Sequence, residues 1–304
     1  LSELEKLKNR LMYLSDKITA SIELEVEGRL MTVALKEQLF KSINKAWITI
    51  YKALGSEKRF PLNDEEFIKA HWIVYFKGYN RAGANVYSNF LFSEYFTAEN
   101  IYSGELTPAK IEAYAKSLQE SAILWSKLHF TNNFGLDEIM WQNSLRGLHR
   151  VGFRNPFKPL VLALLHRKDN AALLNTIKLL EEYAFKLFHI SDRQSNTGNS
   201  KLFTLAHIVY SQNEVKELPI AEYAENQILE HIRWYYTYSS FFNQIQELFE
   251  SEKREGYYGW SGIKYFLYEY DMELRKANKN TTKRTELAWI DFNNKKSIEH
   301  IYPQ

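Results

Sequence analysis

At 304 residues the chain is long enough for one large domain or two medium ones. Its 45% hydrophobic and 25% charged residues are a globular balance that excludes a disordered chain, and a net charge of +2 is too near neutral to argue for nucleic acid by itself. The absence of cysteine excludes disulfides, thiolate metal sites and a cysteine nucleophile, and is compatible with a reducing cytoplasm.

Few glycines (12) and prolines (6) beside 15% aromatic residues favour long, packed helices. Residues 1–20 open with Ser2 and Glu5 in capping-box spacing. Leu4, Leu7, Leu11, Leu14 and Ile18 then alternate by threes and fours along one stripe, as in a helix packed on a neighbour or in a coiled coil. A second helical pattern runs from about 30 to 54 through Ile43, Trp47, Ile50 and Leu54, with Gly55 placed to end it. In "PLNDEEFIKAHW" Asn63 can cap, Glu66 can reach back, and Leu62 with Phe67 has the spacing of a hydrophobic staple.

Thr107 and Pro108 start another helix, because proline at the first helical position gives up an amide that had no partner. Ile111, Tyr114, Ala115, Leu118, Ala122 and Trp125 hold one face of it for four turns. A polar break near 131–143 divides two helical lobes, and further helices are expected at about 157–168, 171–190, 201–211, 219–250 and 260–277. No Asn-Gly or Asp-Gly hairpin turn and no internal repeat is visible. The fold class is therefore mainly α, a multi-helix bundle in one or two lobes. Residues 281–296 lose the helical period, after which Ile298, His300 and Tyr302 alternate with Glu299 and Ile301 as in a short strand. The expected division is a helical lobe at 1–135, a second at 136–280, and the opening of a further domain at 281–304. Because residue 1 is a leucine within a helical pattern, the chain is expected to be a piece of a longer protein. It has neither an apolar run of membrane-spanning length nor a signal-peptide pattern, and is expected to be cytoplasmic without membrane contact.

No His-Glu-x-x-His, Gly-x-Ser-x-Gly, Gly-x-Gly-x-x-Gly or Walker-type loop is present, which removes the commonest hydrolase, dehydrogenase and nucleotide-loop readings. His71, His129, His149, His166, His189, His207 and His231 lie singly in or beside helical stretches and are expected in core, cap or surface roles. His300 differs, since an imidazole can take a proton from water near neutral pH and the neighbouring Glu299 can help hold a divalent cation. On a regular strand these two neighbours point to opposite faces, so a turn or bulge is needed to bring both to one metal.

The terminal "SIEHIYPQ" resembles the entry motif Glu-His-Ile-x-Pro-Gln of the HNH-type nuclease domain in GmrSD-like modification-dependent restriction endonucleases. "LNDEEFIKAHWIVYF", "AYAKSLQESAILW", "FKLFHISDRQSNTGNS" and "IKYFLYEYDMEL" are similar, in order, to that family's helical middle. The resemblance implies a phage-defence protein acting on DNA, in which His300 is the general base and Glu299 a ligand of a Mg²⁺-like ion. It also implies an NTP bound by an N-terminal ParB/sulfiredoxin-like domain, whose Asp-Gly-Gln-Gln-Arg motif this chain lacks. The remaining nuclease residues would lie beyond Gln304, so the chain is expected to be inactive alone while its parent cuts DNA. The other reading is a non-catalytic helical interaction module.

Candidate DNA contacts lie between Arg146 and Lys168, where six Lys/Arg and no acid occur, interleaved with Phe153 and Phe157. Arg146, Arg150, Arg154 and Lys158 would follow a phosphate backbone without reading sequence, although Gly152 and Pro156 interrupt any single helical face. Arg193 and Asn196 sit on a polar loop that caps helix ends or meets a missing domain, and "REGYYGWSG" offers aromatics that anchor a loop or stack on a flipped base.

Overall fold

Leu4, Leu7, Leu11, Leu14 and Ile18, the stripe of the first helical pattern, are all buried, none more than 3% exposed. The second helix covers them with Leu39, Ile43, Trp47 and Ile50, and the Trp47 indole donates to the Leu4 carbonyl at 3.1 Å. Burying side chains of this size stabilises by about 1.5–3 kcal/mol each before ordering costs. The computed structural model describes residues 2–25, 29–76, 86–168, 171–250, 259–277 and 286–294.

The chain is mainly helical. In order, the helices are α1 (Glu3–Glu25), α2 (Arg29–Leu54), α3 (Asp64–Tyr75), α4 (Val86–Asn89), α5 (Ala98–Tyr102), α6 (Pro108–His129) and α7 (Ile139–Gly152). They continue as α8 (Phe157–His166), α9 (Leu174–Ala184), α10 (Asn199–Ser211), α11 (Ile220–Tyr235), α12 (Tyr238–Glu250), α13 (Ile263–Ala277) and α14 (Glu286–Asn294). Two π-helical turns, Phe90–Tyr95 and Phe185–Ile190, three 3-10 turns, Thr131–Asn133, Leu136–Glu138 and Ala171–Leu173, and one antiparallel hairpin, β1 (Glu214–Val215) with β2 (Leu218–Pro219), complete the described elements.

Contacts divide the chain into two units. Unit 1 is Leu1–Gly135 with Pro156–Asp169 and Asn199–Asn213, and unit 2 is the remainder. In unit 1 the starts follow from capping chemistry: Asn63 Oδ1 accepts from the Glu66 amide at 2.9 Å, and Thr107 Oγ1 accepts from the Lys110 amide at 3.3 Å. The α6 stripe Ile111, Tyr114, Ala115, Leu118, Ala122 and Trp125 is buried, chiefly along α2. α8 is apolar nearly all round, and every residue from Phe157 to Leu165 is buried among α3, α6 and α10.

In unit 2, α7 and α11 pack on α9. Gly147 permits the α7–α9 approach, since a Cβ there would lie 2.4 Å from the Glu181 Oε2. Gly152, at φ 102°, ends α7 in a conformation that suits glycine. Beyond α9, Ile190, Leu248 and Trp260 form a small core joined by Phe185, Phe241, Ile245 and Ile263.

Several elements differ from their sequence signals. Residues 219–250 form two helices, because Tyr236 leaves the helical path and Thr237 restarts it, its Oγ1 accepting from the Ser240 amide at 3.3 Å. The hairpin turns on Lys216 (φ 53°) and Glu217 (φ 64°), which occupy the left-handed positions where Asn-Gly is usual, so no turn signal marks it. Residues 286–294, inside the stretch without helical period, are helical: Trp289 and Phe292, three apart, both meet the Tyr268 ring, at 5.0 and 5.8 Å. The expected C-terminal strand, with Glu299 and His300, lies outside the described residues.

Candidate functional site

The four cations singled out for phosphate contact are divided between the units, Arg146, Arg150 and Arg154 in unit 2 and Lys158 in unit 1. Arg146 and Arg150, one turn apart on α7, share a face. Arg150 Nε donates to Glu269 Oε1 of α13 at 2.7 Å, and its guanidinium lies 5.4 Å over the Tyr268 ring. Arg154, past the end of α7, stacks 4.4 Å over Phe188. Lys158, the one charge on apolar α8, is 9% exposed; its ammonium meets Glu66 Oε1 at 2.7 Å and lies 5.8 Å over Trp125. Arg150 and Lys158 would each have to leave a carboxylate before reaching a phosphate, and for a nearly buried lysine that exchange is costly. Phe157 is fully buried and Phe153 packs on His149 at 4.9 Å, so neither ring is laid out for stacking on a base.

Unit 1 instead concentrates neutral polar groups. His71 Nε2 lies 3.0 Å from Ser117 Oγ, which lies 2.8 Å from the Tyr210 hydroxyl. His166 Nε2 lies 2.8 Å from Ser121 Oγ, and its ring meets Tyr210 edge-on at 5.1 Å. Burial, with His166 nearby, pushes the His71 pKa down to about 3, and burial pushes His166 down to about 4. Both imidazoles are therefore uncharged at neutral pH. Tyr75 and Tyr114 pack against His71, and burial pushes the Tyr75 phenol up to about 12. Ring centroids here sit 4.6–6.4 Å apart, the separation of packed side chains.

Unit 2 buries a charge-bearing group. Glu181 on α9 accepts from the Tyr265 hydroxyl at 2.7 Å. Burial pushes its pKa up, the Tyr265 hydrogen bond pulls it down, Glu269 pushes it up, and Arg150 pulls it down. Glu181, Tyr265, Glu269 and Arg150 thus tie α13 to α7 and α9. Periodicity marks Glu181 only as one polar residue on α9, and the signal that could have found it is Gly147, a glycine inside a helix that otherwise has no reason for one.

The remaining described histidines are engaged. His189 Nε2 lies 2.7 Å from the Val151 carbonyl and His207 Nδ1 lies 2.9 Å from the Val74 carbonyl. His129 packs on Trp125 at 4.8 Å and His231 on Tyr183 at 5.4 Å. Trp260, buried, donates from its indole to the His189 carbonyl at 2.7 Å, so this aromatic of "REGYYGWSG" anchors a loop and does not await a base. In the 191–198 loop the Arg193 guanidinium lies 5.1 Å over Tyr235. Gly198 (φ 82°) closes that loop where a Cβ would lie 2.2 Å from the Tyr183 hydroxyl.

Among the described residues no three His, Asp or Glu side chains are grouped to hold a metal ion, and no helix is long and apolar enough to cross a membrane. Glu299 and His300 lie outside the described residues, so no metal geometry attaches to them. Comparison of the chain with protein-family models, curated proteins and solved structures gave no match.

Proposed function

We propose that the chain is the helical middle of a GmrSD-like modification-dependent restriction endonuclease in phage defence, leading into an HNH-type nuclease domain that opens with its terminal motif. The observation that carries this reading is the run Glu299-His300-Ile301-Tyr302-Pro303-Gln304 at the end of a helical chain. Its support is the placement of the four family-like segments. Residues 62–76 make the cap and body of α3, 113–125 lie within α6, 185–200 are the π turn, the loop after it and the first two residues of α10, and 263–274 lie in α13.

In the parent protein the divalent cation would offset charge on the scissile phosphate while His300 takes the proton of the attacking water, with Glu299 as a ligand. An NTP would bind an N-terminal domain, and the helices would relay its state, or that of modified DNA, to the nuclease. Replacing His300 by alanine in the complete protein should abolish Mg²⁺-supported cleavage of duplex DNA. Undiminished cutting removes the general-base role.

A second reading, a non-catalytic interaction module, is favoured by one observation. Phe266, Tyr270 and Leu274 repeat every fourth residue along α13 and are all exposed, leaving an apolar strip on that helix. Complete protein that neither cleaves DNA nor binds nucleotide would make this the better account.

A further inference from the structure

Three lysines of unit 1, Lys41, Lys45 and Lys52, form a row along one face of α2. Lys6, Lys36 and Lys158 each meet a carboxylate, Glu3, Asp16 and Glu66 respectively. Lys41, Lys45 and Lys52 are exposed, and their ammoniums, like those of Lys58 and Lys69, make no hydrogen bond or ion pair with any described residue. Steps of four and seven residues place all three within about 40° of one another on the helix, along about 16 Å of its axis. α2 carries five Lys/Arg against one acid, Glu37, which lies one turn before Lys41.

A groove of about 260 Å³ runs beside this row, between α2 and α6, lined among others by Thr49, Lys52, Ile123, Ser126, Lys127 and Asn133. Lys127 adds a fourth ammonium on its α6 side, and Asn133 Nδ2 donates to Ser126 Oγ at 3.0 Å in its floor. On the same face Ile48 is 57% exposed and Ile123 is 42% exposed. Lysines beside exposed isoleucines offer partners to both a phosphate and the apolar edge of a sugar.

We propose that the α2–α6 face of unit 1 is a sequence-independent contact surface for the phosphate backbone of duplex DNA, with Lys41, Lys45, Lys52 and Lys127 as the phosphate partners. The proposal rests on the reading of the chain as part of a DNA-cutting protein and moves the main contact away from the Arg146–Lys158 run, where Arg150 and Lys158 are already paired. A row of about 16 Å spans roughly five 3.4 Å steps of one strand, and the ammoniums of Lys41, Lys45 and Lys52 can displace condensed counterions without first breaking an internal ion pair.

The test is the salt dependence of binding of the whole 304-residue chain to a fluorescein-labelled 20-base-pair duplex, read by anisotropy. The Lys41→Gln/Lys45→Gln/Lys52→Gln variant should bind at least about tenfold more weakly near 100 mM salt, with the slope of log K against log salt reduced by about 2–3, since each phosphate contact contributes about 0.9. A Lys58→Gln/Lys69→Gln/Lys216→Gln variant, the same charge change at other exposed lysines, should lose much less. The surface is overturned if the wild-type chain does not bind at 50 mM salt, if the α2 variant keeps the full slope, or if the control variant loses as much. Equal affinity for polyglutamate would overturn it in favour of an acidic protein partner. None of these outcomes bears on cleavage by the complete protein, so this surface and the nuclease reading fail separately.

Discussion

The two units bury polar groups of opposite character. Unit 1 encloses uncharged imidazoles and hydroxyls, His71, Ser117, Tyr210, Ser121 and His166, while unit 2 encloses a carboxyl, Glu181, held by Tyr265 near Arg150. The first interior is stable only while its histidines stay neutral. The second is strained by the ionised form of Glu181. Similar helical packing can therefore carry opposite responses to acid, decided by a few residues and not by fold class.

Acidification should break the comparison open with the largest effect. In unit 1 the folded-state pKa values of His71 and His166 lie below the unfolded value of 6.5, so the unfolded chain binds protons first. Stability is complete above pH 6.5 and falls as pH drops from there toward about 4 and 3, by about 1.4 kcal/mol per pH unit for each imidazole. In unit 2 the raised pKa of Glu181 has the reverse sign: its ionised form costs stability at neutral pH, and that cost fades as pH falls through the raised value. His189, pushed down by burial, offsets part of the gain. Hydrogen exchange at pH 7 and pH 5 should show peptides from 108–129 losing protection well before those from 174–184. Equal loss in both would refute the contrast, and a His71→Gln/His166→Gln variant should flatten the response of unit 1.

Gly147→Ala sharpens the comparison from the other side. The new Cβ would displace a Glu181 carboxylate fixed by Tyr265, costing up to about 3 kcal/mol and lowering protection in unit 2 alone. Tyr265→Phe should cost about 1–2 kcal/mol by leaving that carboxylate one donor short, with the loss shrinking in acid as Glu181 takes up a proton. Thr107→Ala, which removes the α6 cap, should cost about 1 kcal/mol in unit 1 with no pH dependence. Chemical denaturation with exchange readout ranks the three.

Local signals were legible wherever one segment settles its own shape. The stripes of α1 and α6 and the caps Asn63 and Thr107 are visible in the string and present in the fold, because periodicity and capping act over a few residues. Partnership was not. Lys158 reads as part of a basic run until Glu66, 92 residues away, is brought to it, and Arg150 until Glu269 is. The hairpin at 214–219 went unmarked because Lys216 and Glu217 hold backbone angles that their side chains do not advertise. The lysines of α2 were visible in the string as well, but the groove beside them is a property only the packed structure can assign.

The way unit 1 is threaded has a consequence for its synthesis. Its α3 and α6 surround α8, and α10 closes the same cluster, although the chain leaves this unit twice before residue 213. A nascent polypeptide therefore cannot finish this unit until α10 has cleared the ribosome exit tunnel. A truncation after residue 135 would leave the faces that receive Leu160, Leu162 and Leu165 open to water, and should yield an aggregating product in place of a shorter folded one.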